Sequence, residues 1–459
     1  MEHEGEGVFQ EAPQMEIMRS ITKWSFRIPH ADRAAWATRR AFNLATNGKP
    51  GPIYLEVPFD VGQQKTRLTK YKKSIAFTRS RPDYELVKRV TELLLNSERP
   101  VIVAGGGAHS SNASGELIEF AELLGIPVLT TPSGRGVFPE NHPLSVGQVG
   151  LYRTRIGREA YQKADLIISL GSRNEEFQTA AWRYYPDHAV FIQVDIDPSE
   201  LARNFDPTVA LVADVKLFLR DLITEIKSKV KRTPLREMPR VKTITEASAA
   251  FRNEVEEECR TSSLPLKSKK IIYDACRIFG PRTVLVNENG SQDLWSYYWP
   301  YWEAGLDGCV APAEQTCMGL AVAGCIGAKL AAPDRPVVCT TGDGAFQMFM
   351  KEMPTAIQHK APVTWIVLNN DSLGWIKLHE RANRGRYIAV DFTAQPDFVK
   401  VADASGCYGE RVTNPGDILP ALARALKENE KGTPAMLEFK VDPWDFADGF
   451  REFQPSLFK

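Results

Sequence analysis

The stretch PVVCTTGDGAFQMFMKEMPTAIQHKAPVTWIVLNN, residues 336–370, decides the fold. It opens with a short uninterrupted apolar run, Val337 to Thr340, and closes with another, Val363 to Leu368. Between them lies a helical segment, Ala345 to His359. Continuous apolar strands joined through a helix predict a parallel pair buried on both faces, one βαβ unit of an α/β sheet. Each strand ends in polar residues, Gly342-Asp343-Gly344 after the first and Asn369-Asn370 after the second. In open α/β sheets the carboxyl ends of the strands are the edge where ligands bind.

The residue types at that edge fit an anion and a hard metal ion. Gly342 and Gly344 let the backbone approach a phosphate closely. A helix opening at Ala345 offers unpaired N–H groups and its positive dipole end to the same anion. Asp343 supplies a carboxylate oxygen and Asn370 an amide oxygen, the donors that Mg²⁺ takes from side chains alongside phosphate, carbonyl and water. Taken singly, Gly-Asp-Gly is a tight turn and Asn-Asn a strand terminator. Joined by one strand-helix-strand passage, they point to a phosphate and metal site.

Outward from this unit, the pattern gives three α/β blocks. Residues 268–448 form the block just described, with further strands at Val284–Val286 and Ala435–Phe439. Residues 80–226 alternate helices (Tyr84–Asn96, Ser114–Leu124) with strands at Val101–Ala104, Pro127–Thr130, Leu166–Leu170 and Val190–Val194, a Rossmann-like pattern. Gly105-Gly106-Gly107 after its first strand is short of a full GxGxxG, and a turn with a helix cap explains it equally well. Residues 1–62, with a helix at Ala31–Ala45 and a strand at Ile53–Val57, look like the end of an α/β domain. Gln63–Arg79 reads as a crossing linker and the charged Lys227–Lys267 as a solvated connector with some helix. The fold class is therefore α/β, parallel sheets covered by helices.

Composition bounds the rest. The 459 residues are 43% hydrophobic, with 57 acidic and 57 basic side chains. That balance argues against a nucleic-acid surface, which needs a cationic excess. Seven cysteines, an odd number without a CxxC pair, read as reduced thiols in a cytoplasmic setting. The small-and-apolar run Met318–Ala332 is too short for a membrane span and reads as a buried helix. Arg381, Arg384 and Arg386 read as a surface loop, or else as a lure for a carboxylate or sulfonate.

The motif Gly342-Asp343-Gly344 to Asn369-Asn370 resembles the signature of thiamine diphosphate-dependent enzymes, and the chain is most similar to their acetolactate synthase group. Phe9-Gln10-Glu11, Lys49 to Pro58, Asp195-Ile196-Asp197-Pro198, Met318-Gly319, Ile326 to Leu330 and Pro396-Asp397-Phe398 look like segments of that family. The resemblance implies a pyrimidine-binding domain ending near residue 62, a central domain, and a diphosphate-binding domain. It implies Mg²⁺ held by Asp343, Asn370 and the carbonyl of Ser372. Gly290, Gln292, Thr316, Ala345, Leu373 and Gly374 join Gly342 and Gly344 around the cofactor. Met318 becomes the apolar wedge that bends the cofactor, and Gln10 a further catalytic position. The implied activity is decarboxylation and carboligation of 2-oxo acids, with 2-hydroxyacyl-CoA lyase, oxalyl-CoA decarboxylase or sulfoacetaldehyde acetyltransferase chemistry as the alternative. A dimer or tetramer is implied as well.

Several departures blur the substrate. The family's Trp four residues after Trp375 is His379, and both are placed in the substrate pocket. Gly290 to Trp295 keeps the family Gly and Trp but lacks the usual His-Gln pair. Gly171, Arg173, Asp195 and Asp214 fall where flavin contacts lie, yet Asn174-Glu175-Glu176 replaces Phe-Asp-Asp, so FAD, an ADP moiety or neither stays open. The family's ylid-generating Glu lies upstream of Phe9-Gln10-Glu11. This reading expects it from a partner chain or from a longer sequence, and expects the 459 residues alone to be a weak enzyme or a cofactor-binding subunit.

Overall fold

The apolar runs become the central strands of two six-stranded, all-parallel sheets. The computed structural model describes residues 5–67, 71–73, 79–183, 185–382, 385–447 and 449. The linker reading over Gln63–Arg79 and the arginine reading at Arg384 therefore lie partly outside the described residues. The chain forms two compact units: Met1–Arg81 with Ile196–Pro198, and Pro82–Asp195 with Ser199–Lys459.

In the smaller unit, β1 (Trp24–Arg27) pairs in parallel with β2 (Ile53–Glu56). The helix Ala34–Thr46 buries Ala37 and Ala41. Trp36 meets Trp24 and Phe26 edge-on, a small aromatic core. β1 was not expected from the sequence.

In the larger unit, the central block contains β3 (Pro100–Ala104), β4 (Val128–Thr130), β5 (Ser145–Gln148), β6 (Leu166–Leu170), β7 (Val190–Asp195) and β8 (Val209–Val212), in the order β5-β4-β3-β6-β7-β8. β3 and β6 are buried along their whole length, as central parallel strands must be. The helix Tyr84–Asn96 starts at Asp83, whose carboxylate accepts from the Glu85 amide, and buries Val87, Val90, Thr91 and Leu94 at helical spacing. Gly105 and Gly107 are needed where the chain leaving β3 crosses the chain leaving β6. A Cβ on Gly105 would stand 2.3 Å from the Gly171 carbonyl oxygen, and one on Gly107 2.7 Å from the Gly171 Cα. The glycine run opens a short helix, Gly106–Ser110.

The third block contains β9 (Val284–Asn287), β10 (Cys309–Val310), β11 (Val337–Gly342), β12 (Thr364–Asn369), β13 (Tyr408–Val412) and β14 (Ala435–Lys440), ordered β10-β9-β11-β12-β14-β13. The register of β11 on β12 runs from Val338↔Thr364 to Gly342↔Leu368. Strand order reverses between β9 and β11, because β10 lies to one side of β9 and β11 to the other.

Three expectations change. The helix after β11 begins at Asp343, not Ala345, and runs in pieces, Asp343–Phe349, a 3-10 turn Met350–Glu352, then Met353–Gln358. The helix expected from Met318 begins at Leu320. The charged segment Lys227–Lys267 is mostly ordered: it carries the 21-residue helix Pro239–Cys259. That helix buries Val241, Ser248, Val255 and Cys259, with Ile244 and Phe251 packed beside them. The stripe is narrow, so the surrounding charge hides it in sequence.

A buried ion pair fastens the central block to the third. Arg135 donates to both oxygens of Glu140 at 2.8 and 2.9 Å and to the carbonyls of Ser296 and Trp302. Glu140 in turn accepts from the Ala304 amide. All seven cysteines are free thiols. Among the described residues, no helix is long and apolar enough to cross a membrane.

Candidate active site

The reversal between β9 and β11 opens a cleft of about 260 Å³ at the carboxyl edge of the sheet. It is lined from the β9 end by Glu288 to Gln292, from the β11 end by Gly342 to Ala345, and from the β12 end by Leu368, Asn370 and Ser372 to Ile376. Thr316 and Met318 form another wall, and Phe177 reaches in from the central block. A switch in strand order is where open α/β sheets leave a crevice for ligands.

Asp343 is the first residue of its helix and is 1% exposed. Its Oδ2 accepts from Gln395 Nε2 at 2.6 Å. Burial pushes the carboxyl up to about 6, against the opposing pull of the Gln395 amide and the Gly344 N–H. Asn370 lies on the adjacent strand end, and its Oδ1 accepts from the Ser372 amide at 3.1 Å. An amide oxygen has two lone pairs, so this turn leaves one for another partner. The next residues are pinned by a neighbouring segment: the Leu373 amide donates to the Val390 carbonyl and the Phe392 amide to the Asp371 carbonyl. Gly374 packs tightly here: a Cβ would stand 2.2 Å from Ser291 Oγ and 2.7 Å from Asn370 Nδ2, so a larger residue would displace both side chains. Above Gly342, by contrast, a Cβ would meet nothing within 4 Å. Open space thus stands over the loop beside the buried carboxylate.

Met318 precedes its helix on a strained turn. Thr316, a β-branched residue, has φ +45° and Gly319 has φ +87°. Such backbone persists only where the surroundings over-determine it. Met318 is 42% exposed, so it is not a core methionine but a side chain presented to the cleft. Glu288 holds the turn: its Oε2 accepts from the Gly319 amide at 2.9 Å, while Oε1 is buried with no hydrogen-bond partner among the described residues.

Burial pushes Glu288 up to about 8, with the Gly319 and Ala321 amides pulling the other way. The folded chain therefore keeps a proton that the unfolded chain releases near 4.5. This group's contribution to stability is full below 4.5 and is lost as pH rises to about 8. Glu288→Gln is expected to flatten that part of the stability-against-pH curve and to stabilise the protein by on the order of 2 kcal/mol at pH 8.5. Urea unfolding at pH 5 and 8.5 checks it. An equal effect at both values contradicts the assignment.

The cleft thus brings together Gly290, Gln292, Thr316, Met318, Gly342, Asp343, Gly344, Ala345, Asn370, Ser372, Leu373, Gly374 and Trp375. His379, one turn beyond Trp375 on the helix Gly374–Ala382, is not among its lining residues. Gln10 is exposed and belongs to the smaller unit. Of the positions compared with flavin contacts, Gly171 packs on Gly107, Arg173 pairs with Glu175 at 3.0 Å, Asp195 ends β7, and Asp214 caps the helix Val215–Lys229. Arg381 lies over the Trp444 ring. The sequence alone did not single out Phe177, Glu288, Asn289, Ile376 or Gln395. Phe177 leans on Trp375 with ring centroids 6.2 Å apart.

Two family models match the chain: the thiamine pyrophosphate enzyme central domain over residues 87–222, and the thiamine pyrophosphate enzyme C-terminal TPP binding domain over residues 289–439. The chain belongs to the thiamine diphosphate-dependent enzyme family. Within it, the chain is similar to a probable acetolactate synthase large subunit of Methanocaldococcus jannaschii, 31% identical over 458 residues, covering 96% of this chain and 75% of that protein. A probable acetolactate synthase large subunit of Methanococcus aeolicus is 29% identical, with the same two coverages. The acetolactate synthase large subunit of Mycobacterium tuberculosis is 30% identical, covering 95% of this chain and 71% of that protein.

Proposed function

We propose that this enzyme carries thiamine diphosphate in the β9–β11 cleft through a Mg²⁺ ion held by Asp343, Asn370 and the Ser372 carbonyl, and joins 2-oxo acids after decarboxylating one of them, in the manner of acetolactate synthases. The observation that carries the reading is the meeting of a buried carboxylate, an amide oxygen and open space above Gly342 at one switch point. These oxygens are the hard donors Mg²⁺ prefers, few enough to leave positions for phosphate and water. The residues present therefore fit the metal and the diphosphate.

When bound, the cofactor supplies the nucleophilic carbon and the electron sink that 2-oxo acid decarboxylation requires. The chain's own residues bind, orient and exclude water. Gly342 leaves room for the diphosphate, while Gly344 lets Leu373 and Phe392 pack closely beneath it. Met318, fixed by the Glu288 and Gly319 contact, supports the ring. Phe177, Leu373, Trp375 and Ile376 give the acyl group apolar walls. A low-dielectric wall strengthens every charge interaction at the reacting centre. By analogy with the relatives named large subunits, we extend the proposal to a small-subunit partner, and the family resemblance extends it to a homo-oligomer.

Calorimetric titration of thiamine diphosphate with and without Mg²⁺ tests the site; saturable binding that requires the metal is expected. Pyruvate turnover followed as acetolactate and CO₂ tests the reaction. An enzyme that binds the cofactor, ignores pyruvate and cleaves an acyl-CoA instead belongs with the alternative chemistry.

A further inference from the structure

Gln395 lies outside every motif that defines the cleft, yet it spans the two strand ends that supply the proposed ligands. Its Nε2 donates to Asp343 Oδ2 at 2.6 Å, and its Oε1 accepts from Asn369 Nδ2 at 2.9 Å. Asn369 is fixed in turn. Its Nδ2 also donates to Glu438 Oε1 at 2.7 Å, and its Oδ1 accepts from the Asp371 amide at 3.0 Å. Glu438 is 2% exposed, and its other oxygen accepts from Arg411 Nε at 2.7 Å. An unbroken chain of hydrogen bonds thus runs from Arg411 through Glu438, Asn369 and Gln395 to Asp343.

We infer that Gln395 is a positioning residue for the metal site, setting the rotation of the Asp343 carboxylate and its separation from Asn370 by bridging Asp343 to Asn369. Three features support this. The amide is engaged at both ends, so neither oxygen nor nitrogen is free to turn. It is neutral, so it fixes a buried carboxylate without neutralising the charge a divalent ion needs. Its partner Asn369 directly precedes Asn370, so the same contact locates both strand ends. Residues that orient a metal ligand from behind typically matter by about 10–100-fold in metal affinity. The inference rests on the proposed Mg²⁺ and diphosphate reading of the cleft.

The experiment is calorimetric titration of Mg²⁺ into the full chain at saturating thiamine diphosphate, for wild type, Gln395→Met and Gln395→Glu. Met keeps the length and removes both hydrogen bonds. Glu keeps the acceptor for Asn369 and loses the donor to Asp343. We expect both variants to bind Mg²⁺ about 10–100-fold more weakly, with thiamine diphosphate affinity recovered at high Mg²⁺ and thermal unfolding of metal-free Gln395→Met close to wild type. A purely structural role lowers the melting temperature and leaves the Mg²⁺ affinity of the folded fraction unchanged; that result overturns the inference while the cofactor reading stands. Wild-type chain whose cofactor binding ignores Mg²⁺ overturns both.

Discussion

Asp343→Ala is expected to remove Mg²⁺-dependent thiamine diphosphate binding, a loss of at least about a hundredfold that exceeds the usual cost of disturbing an outer partner of a ligand. Two terms act in the same direction. The variant loses the one anionic donor proposed for the ion, and Asn370 with a backbone carbonyl holds Mg²⁺ poorly without it. The diphosphate then faces the cleft without charge compensation. Stability should not follow affinity. Burial already pushes this carboxyl up to about 6, so the metal-free fold carries an unfavourable charge at neutral pH that alanine relieves. Asp343→Asn keeps the shape and tests the charge alone. The same shift sets a pH dependence. In the metal-free protein, folding binds a proton here between 3.8 and 6, so this contribution to stability is lost as pH rises through that window. Metal binding needs the ionised form, so Mg²⁺ affinity should fall about tenfold per pH unit below 6 and level off above it. Titrations at pH 5, 6 and 7.5 read this directly; a flat profile is incompatible with Asp343 as ligand.

Arg135→Ala should destabilise the larger unit by about 3–5 kcal/mol. Arg135 is fully buried, and Glu140 beside it is 1% exposed. Removing the guanidinium strands that carboxylate in a dry interior and leaves the Ser296 and Trp302 carbonyls without their donor. Glu140→Ala should cost a similar amount for the mirror reason. A combined Arg135→Met, Glu140→Leu variant should lose less than the sum, because no uncompensated charge remains. The urea midpoint followed through intrinsic tryptophan fluorescence measures all three. Strict additivity would show that the two side chains do not act as a pair.

The central strands were readable because a parallel strand buried on both faces must be apolar without interruption, as in β3, β6, β11 and β12. The overlooked members of the two large sheets, β5, β8, β10 and β13, are all edges. β13, Tyr408-Gly-Glu-Arg-Val412, is mostly polar. β8 turns two of its four residues to solvent. β10 has only two residues, and β5 carries Gly147 at φ +90° beside a register irregularity. Of these edges only β8, Val209-Ala-Leu-Val212, presents an apolar run, and that run is just four residues long. The site divides the same way. Gly342, Asp343, Gly344 and Asn370 announce themselves because one βαβ unit brings them together over a short span. Phe177 arrives from a 3-10 turn, Phe177–Thr179, in another block, and Gln395 from a segment beyond the helix Gly374–Ala382. Their partnership exists only in three dimensions. Glu288 was hidden by its company: an acidic residue in Asn-Glu-Asn looks solvated until the fold buries it.

The reversal of strand order between β9 and β11 is a property of the backbone path, settled by strands that meet the cleft only at their carboxyl ends. The hollow is therefore inherited with the topology, whatever residues later line its rim. Asn289, Ser291, Trp375 or Ile376 can be exchanged while the sheet that creates the hollow keeps its pairing. Catalytic repertoire and foldability draw on largely separate sets of positions.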